Sequence, residues 1–226
     1  MNLAKPMIDI GLATNDLDPM LAFWQGEAGA VFDHLLKVRR GQDQHRHDIA
    51  GSVLKINHSA DPIPANPPSG YRELIVARTG LSAPVALADP EGNRVTLVPL
   101  GYDGVTQIAV RLGVRNLEAH RRFYGDGLGL PEERPGVFRA GASLVFLDEA
   151  DDAPSDADMR GPGWRYITFQ VFKVDEEHAG VLARGGREAI APVTLGVTAR
   201  VSMVRDPDGN WIELSQRASI TGSLEP

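Results

Sequence analysis

Two stretches decide the reading of this chain: Ala88-Asp89-Pro90-Glu91-Gly92-Asn93-Arg94-Val95-Thr96-Leu97 and Arg205-Asp206-Pro207-Asp208-Gly209-Asn210-Trp211-Ile212-Glu213-Leu214. Each reads as a tight turn feeding a strand. The aspartate bonds its own backbone, proline fixes φ, and glycine accepts positive φ. After the second turn, alternation puts Ile212 and Leu214 on one face of the strand and Trp211, Glu213 and Ser215 on the other. The two aspartates stand 117 positions apart.

Two further pairs of landmarks run in the same order. Asn15-Asp16-Leu17-Asp18 with Phe23-Trp24 is answered by Arg115-Asn116-Leu117-Glu118 with Phe123-Tyr124, at an offset of 100, and Gly70-Tyr71-Arg72 by Gly163-Trp164-Arg165, at an offset of 93. Three matched landmarks in one order argue for a duplication. The growing offset locates a length difference: 17 residues separate Arg72 from Asp89, but 41 separate Arg165 from Asp206. The first copy therefore lacks about one helix and one strand. The helix is readable in the second copy as Val174–Gly185, stopped by Gly185-Gly186.

Composition bounds the function. Of 226 residues, 23 are basic and 30 acidic, giving a net charge of −7, and none is cysteine. Without a concentrated basic face a nucleic-acid partner is excluded. Without cysteine, disulfides, zinc–thiolate sites and thiol nucleophiles are excluded. No apolar run approaches the roughly 18 residues of a membrane helix, and Asp9 interrupts any leader-like core. A cytoplasmic protein with no membrane partner, monomer or homodimer, is the expectation.

Met7–Ala13 and Gln107–Val114 read as strands, each leading through an Asp/Asn cap into a helix, Leu17–Gly26 and Leu117–Gly125. Val31–Val38 and Ser52–His58 read as strands around a polar stretch, Gly41–Ala50. Pro62–Ser69 and the acidic Glu149–Gly163 read as loops. Val137–Arg139, Ser143–Leu147, Arg165–Val171, Ala199–Val204 and Trp211–Gln216 complete an α+β pattern of strand–helix–strand–strand–strand.

On these residues, the Ile10–Asp18 and Ala109–Tyr124 segments, Arg165–Val171 and both Asp-Pro-x-Gly-Asn turns, the chain resembles the vicinal oxygen chelate superfamily of glyoxalases, bleomycin-resistance proteins and extradiol dioxygenases. The resemblance implies tandem glyoxalase-like domains, residues 1–101 and 105–217 with a tail at 218–226. They would be built from βαβββ modules with curled mixed sheets, the second module of the first half being truncated. It also implies a small-molecule substrate in a sheet-lined cavity that often holds a divalent metal.

The family's ligands come from the start of each module's first strand and the middle of its last. Those places read Asp9, Glu73, Ala109 and Tyr166, then Lys55, Thr96 and Glu213. Gln107 lies close enough to serve if a bulge shifts the register. A two-His-one-carboxylate set is absent, which argues against extradiol oxygenase chemistry and standard lactoylglutathione lyase activity. One divalent metal (Fe, Mn, Zn, Ni or Mg) on Glu213 with unusual partners stays open beside no metal at all. So does the plain alternative, an inherited carboxylate bonded to Tyr166 or Arg111.

The residues themselves add a polar strand face. Val53, Lys55 and Asn57 share one side of a strand, Leu54 and Ile56 the other. If the apolar side packs on a helix, Lys55 and Asn57, with nearby His47, line a cavity suited to an anionic or carbonyl-bearing ligand. A solvated hairpin with surface histidines is the equally weighted alternative, and a His45-x-His47 metal site a weaker third. Candidate catalytic residues are thus Glu213, as base or metal ligand, and Tyr166, as donor to developing charge. Candidate substrate-binding residues are Asp9, His47, Lys55, Asn57 and Arg111. Proton abstraction beside a carbonyl, of the lyase or isomerase type, is the first reading. A metal-free binder with Trp164, Trp211 and Tyr71 as stacking surfaces is the second, and a structural protein with a filled cavity the third. In the enzymatic reading, Glu213→Gln should leave the melting temperature nearly unchanged.

Overall fold

The computed structural model describes residues 1–225. A first module holds β1 (Asp9–Thr14), α1 (Leu17–Gly26), β2 (Val31–Arg39), β3 (Gln42–Ile49) and β4 (Ser52–Ser59). A second, short module holds β5 (Tyr71–Arg78), β6 (Val85–Ala88) and β7 (Arg94–Pro99). A third holds β8 (Ile108–Val114), α2 (Leu117–Arg122), β9 (Glu132–Arg134), β10 (Val137–Ala140) and β11 (Ser143–Glu149). The fourth holds β12 (Gly163–Gln170), α3 (Val174–Ala183), β13 (Arg187–Leu195), β14 (Ala199–Arg205) and β15 (Trp211–Arg217), followed by α4 (Ala218–Thr221). The helix and strand missing from the second module account for its shortness.

The strands form two sheets. Sheet 1 has the order β13-β14-β15-β12-β1-β4-β3-β2, and sheet 2 the order β6-β7-β5-β8-β11-β10-β9. Each sheet therefore takes one module from each sequence half. β1 pairs antiparallel with β12, with Asp9 opposite Thr168 and Gly11 opposite Tyr166; β5 pairs antiparallel with β8, with Glu73 opposite Arg111. This departs from the expectation that each half curls a sheet of its own. The Pro-rich loop after β4 carries the chain from sheet 1 to sheet 2, and the acidic loop after β11 carries it back.

Helix-to-turn packing stays within the halves. Trp24 of α1 donates its indole N–H to Asp89 Oδ2 at 3.3 Å. His120 of α2 lies 3.5 Å from both Asp206 and Asp208. The turns form as their residues dictate: Asp206 Oδ1 accepts from the backbone N–H of Asp208 (3.0 Å) and Asn210 (2.8 Å), and Gly209 takes φ 81°. At the helix starts among the described residues only Asn116 caps with its side chain, accepting from Ala119 N; Asp16 makes no such bond.

Alternation along the strands separates the faces. Ile10, Leu12, Leu54, Ile56, Ile167, Phe169, Ile212 and Leu214 are fully buried and join Met20, Phe23 and Trp24 of α1 in one core that includes residues of both sheets. Burying each of these large side chains contributes about 1.5–3 kcal/mol. The opposite, concave face of each sheet is left for polar or ligand-facing side chains. The polar stretch Gly41–Ala50 is mostly strand rather than a solvated connection. β3 pairs β4 along its whole length, and Gln44, Arg46 and His47 are all buried.

Candidate functional site

Register fixes which side chains share the concave face of sheet 1. Across one row, Trp211 stands beside Tyr166, Gly11, Lys55 and Arg46 in turn. In the next, Ile190, Met203, Glu213, Thr168 and Asp9 follow one another. The face is closed by its own hydrogen bonds. Lys55 Nζ donates to Glu213 Oε2 at 2.7 Å and meets Thr168 Oγ1 at 2.6 Å, while Thr168 donates to the same carboxylate oxygen at 2.9 Å. The Tyr166 hydroxyl accepts from Gln44 and Asn57, both at 3.3 Å. Asp9 is held by Lys5 (2.9 Å), Gln170 (3.0 Å) and the backbone N–H of Val53 (2.9 Å).

Burial sets the protonation of this group. It drives the Lys55 ammonium toward its neutral form, against the pull of Glu213. It also raises the Tyr166 phenol well above its ordinary value, with the Glu213 charge adding to the effect, so the phenol keeps its proton. Lys55 is 3% exposed and Glu213 14%, so the carboxylate is the member of the pair that reaches solvent. The ring of Tyr166 lies against Gly11 of β1; a Cβ there would collide with the ring.

Lys55, Asn57, Tyr166, Glu213 and Asp9 thus meet on one face, though on a sheet shared between the halves rather than a cavity of the first half. His47 does not join them. It pairs in register with Leu54, faces α1, and bonds Gln25 at 3.0 Å with Phe32 edge-on at 5.5 Å. The alternation that brings Lys55 and Asn57 inward sends His47 to the other side. Gln44 and Arg46 are the residues that sequence reading passed over. Their signal was period-two spacing with His45 and His47, legible only once β3 is known to be a strand. The expected stacking surfaces are absorbed elsewhere: Trp164 packs on Trp24 at 5.5 Å, Tyr71 donates to Trp211 O at 2.8 Å, and the Arg205 guanidinium covers the Trp211 ring.

Arg111 belongs to sheet 2. Its guanidinium bonds Glu73 at 3.0 Å and Asp148 at 2.6 Å and lies 5.0 Å over the Phe146 ring. Burial opposes its charge, but the two carboxylates outweigh that and hold it protonated. Thr96 donates to Glu73 at 2.5 Å. A cavity of about 180 Å³ opens here, with Ile75, Val98, Val105 and Phe146 among its lining residues. The inherited carboxylate Glu213 is therefore bonded to neither Tyr166 nor Arg111.

Neither face fits a resident divalent metal. At the family's ligand places sheet 1 offers Asp9, Lys55, Tyr166 and Glu213, and the Lys55 ammonium stands against Glu213 where a cation would bind. Sheet 2 offers Glu73, Thr96 and Ala109, with Glu73 already committed to Arg111. Gln107 is spent on Ala50 O, Ser52 and Ser143. Among the described residues no group of three or more His, Asp or Glu could hold a metal ion, and no helix is long and apolar enough to cross a membrane.

Comparison with known proteins agrees with this architecture. The profile of the Glyoxalase/Bleomycin resistance protein/Dioxygenase superfamily matches residues 105–214. No curated protein matches the chain. Among solved structures, glyoxalase I from Zea mays superposes with a TM-score of 0.70 at 14% identity, covering 93% of this chain and 92% of that one. A variant of the same enzyme reaches 0.74 at 14% identity, covering 97% and 96%. The structure of a putative dioxygenase from Bacillus subtilis gives 0.68 at 11% identity, covering 100% and 91%. Identities this low speak for fold alone. Residues 105–214 thus match the model of the Glyoxalase/Bleomycin resistance protein/Dioxygenase superfamily, and the chain has the glyoxalase-type fold along nearly its whole length.

Proposed function

We infer that the concave face of sheet 1 takes a small organic molecule and moves a proton beside its carbonyl group, a lyase or isomerase type of reaction, with no resident metal. The observation that carries this is the Lys55–Glu213 pair, 2.7 Å apart, a protein cation placed where the family binds a metal ion. Glu213, the solvent-reaching member, takes the proton. Lys55 and Tyr166, both on the same face, donate to the oxygen on which charge develops. The raised pKa of Tyr166 suits it to donate rather than to act as a base.

The competing reading, a metal-free binder of the bleomycin-resistance type, has its own support: a carboxylate already neutralised by Lys55 is a weakened base. Deuterium exchange separates the two. A panel of small ketones, aldehydes and α-keto acids is incubated in D2O with protein stripped by chelator. Exchange at the carbon beside the carbonyl, retained after stripping and lost in Glu213→Gln, is the expected result. Exchange that needs added metal defeats the metal-free reading, and binding with no exchange favours the binder.

A further inference from the structure

The charged groups of the sheet 1 face are only partly joined in ion pairs. Asp9 is paired with Lys5, and Glu213 with Lys55. That leaves Arg46 and Arg217 with no carboxylate within ion-pair distance among the described residues. Arg46 is 4% exposed. Its one side-chain bond goes to a neutral amide oxygen, Gln44 Oε1, at 2.6 Å, and its buried Nε has no partner. A guanidinium has five donors in a fixed fork and cannot shed its charge. Burying it without a counter-charge costs several kcal/mol, a cost that a bound anion would offset. Arg217, at the end of β15, follows Glu213 and Ser215 by alternation onto the same face and is half-buried; burial and then the Arg46 charge oppose its cation, while Glu213, Asp9 and Asp33 favour it.

The two edges of the same face carry exposed apolar side chains. Register places Ile190 beside Met203 and Val193 beside Val201, on the side of Glu213 and Ser215. Both Ile190 and Val193 are 43% exposed. On the opposite edge, Val31 pairs with Asp48, which pairs with Val53 on the side of Lys55, and is also exposed.

We propose that the molecule bound on the sheet 1 face is an organic anion, carrying a carboxylate or phosphate that Arg46 and Arg217 grip while an apolar body lies against the strands at the sheet edge. This rests on the reading of that face as a binding site and narrows it to a charge class. A bidentate contact to a carboxylate or phosphate uses the guanidinium geometry fully, and it gives the unpartnered Nε an acceptor.

The test uses benzoate and phenyl phosphate as probes, with benzamide as the neutral control, measured by calorimetry on the intact chain. At least one anion is expected to bind, benzamide weakly or not at all, and Arg46→Met to reduce anion affinity roughly ten- to a hundred-fold. Arg217→Met should weaken the same probes while leaving the folded core untouched, which covers the case of a poorly folding Arg46 variant. The ligand-free protein gives an independent readout: removing an unpaired buried charge should leave the melting temperature unchanged or raise it in Arg46→Met. A lowered melting temperature there marks Arg46 as structural and overturns the proposal. Failure of both anions to bind, or benzamide binding as well as benzoate, overturns it too, the latter while leaving the face a binding site. Arg46-dependent anion binding with no deuterium exchange on any carbonyl compound would keep this inference and defeat the proposed reaction.

Discussion

The two concave faces are built from the same kind of module and solve the same problem in opposite ways. On sheet 1 the family's ligand places hold Lys55 and Glu213, and the face is a continuous polar network. On sheet 2 they hold Thr96 and Ala109 beside Glu73, and much of the face is an apolar cluster of Ile75, Ala77, Val98, Val105, Ala109, Leu144 and Phe146. The position that is Gly11 in β1, leaving room for Tyr166, is Arg111 in β8, whose side chain fills the space and reaches two carboxylates. The lesson is that two frames of like modules can share their turns and helix contacts while their working faces differ. An ion pair buried against a polar floor and one at the rim of a cavity have different energetic weight.

The largest effect should separate these pairs. Glu213→Gln strands the buried Lys55 ammonium and should lower stability by about 3 kcal/mol, a fall of roughly 6–12 °C in melting temperature. Glu73→Gln leaves Arg111 its Asp148 partner and should cost less than about 1 kcal/mol. This replaces the expectation from sequence that Glu213→Gln leaves the melting temperature untouched; the physical reason is the lysine, 158 positions away in the chain. Equal losses in urea titrations of the two variants would erase the contrast between the faces.

A compensated change sharpens it. Lys55→Met combined with Glu213→Leu removes both charges together, and should recover most of the stability lost in Glu213→Gln. Proton transfer should stay absent. A double variant less stable than the single one would mean that Thr168 and Asp9 depend on the pair.

Gly11→Ala should cost about 1–3 kcal/mol by forcing Tyr166 off β1, whereas Arg111→Ala, at the matching place in sheet 2, removes only half-exposed ion pairs. Guanidinium-chloride midpoints of the two variants make the comparison. If Gly11→Ala is neutral, Tyr166 has room to move and is not fixed by its two amide donors.

The smallest effect lies above the faces, in the helices. The place of Met20 in α1 is taken by His120 in α2, fully buried 3.5 Å from Asp206 and Asp208. Burial opposes its charge, but Asp206 and then Asp208 outweigh that and raise its pKa. The folded chain then holds this proton to higher pH than the unfolded one. The stabilisation is full below about pH 6.5 and fades as pH rises through the folded value. His120→Met should flatten the stability profile between about pH 6 and 8, by about 1 kcal/mol or less per pH unit, as read from urea unfolding at each pH.

Much of the frame was legible before any coordinates. The Asp-Pro-x-Gly-Asn turns and the alternation of Ile212 and Leu214 are local chemistry and formed where their residues demanded; both helices formed too, though only Asn116, and not Asp16, caps with its side chain. β3 was not legible, because Gln42–Ile49 is polar on both faces: one side meets the Lys55 row and the other meets α1 through His47 and Gln25. Hydropathy cannot announce a strand whose partners are polar too. Arg46 was hidden with it.

What the sequence alone determined is the α+β order of the modules, the shortness of the second, and which residues of each strand share a face, since alternation and turn chemistry act over a few residues. Which strands become neighbours was decided only in three dimensions. β1 could hydrogen-bond to any complementary edge; it lies beside β12 of the other half, with the loops after β4 and β11 carrying the chain between the sheets. That choice set Lys55 against Glu213 and left Arg46 without a carboxylate partner among the described residues. Backbone hydrogen bonding is blind to side-chain identity, so the charge balance of the face appeared only when distant strands met.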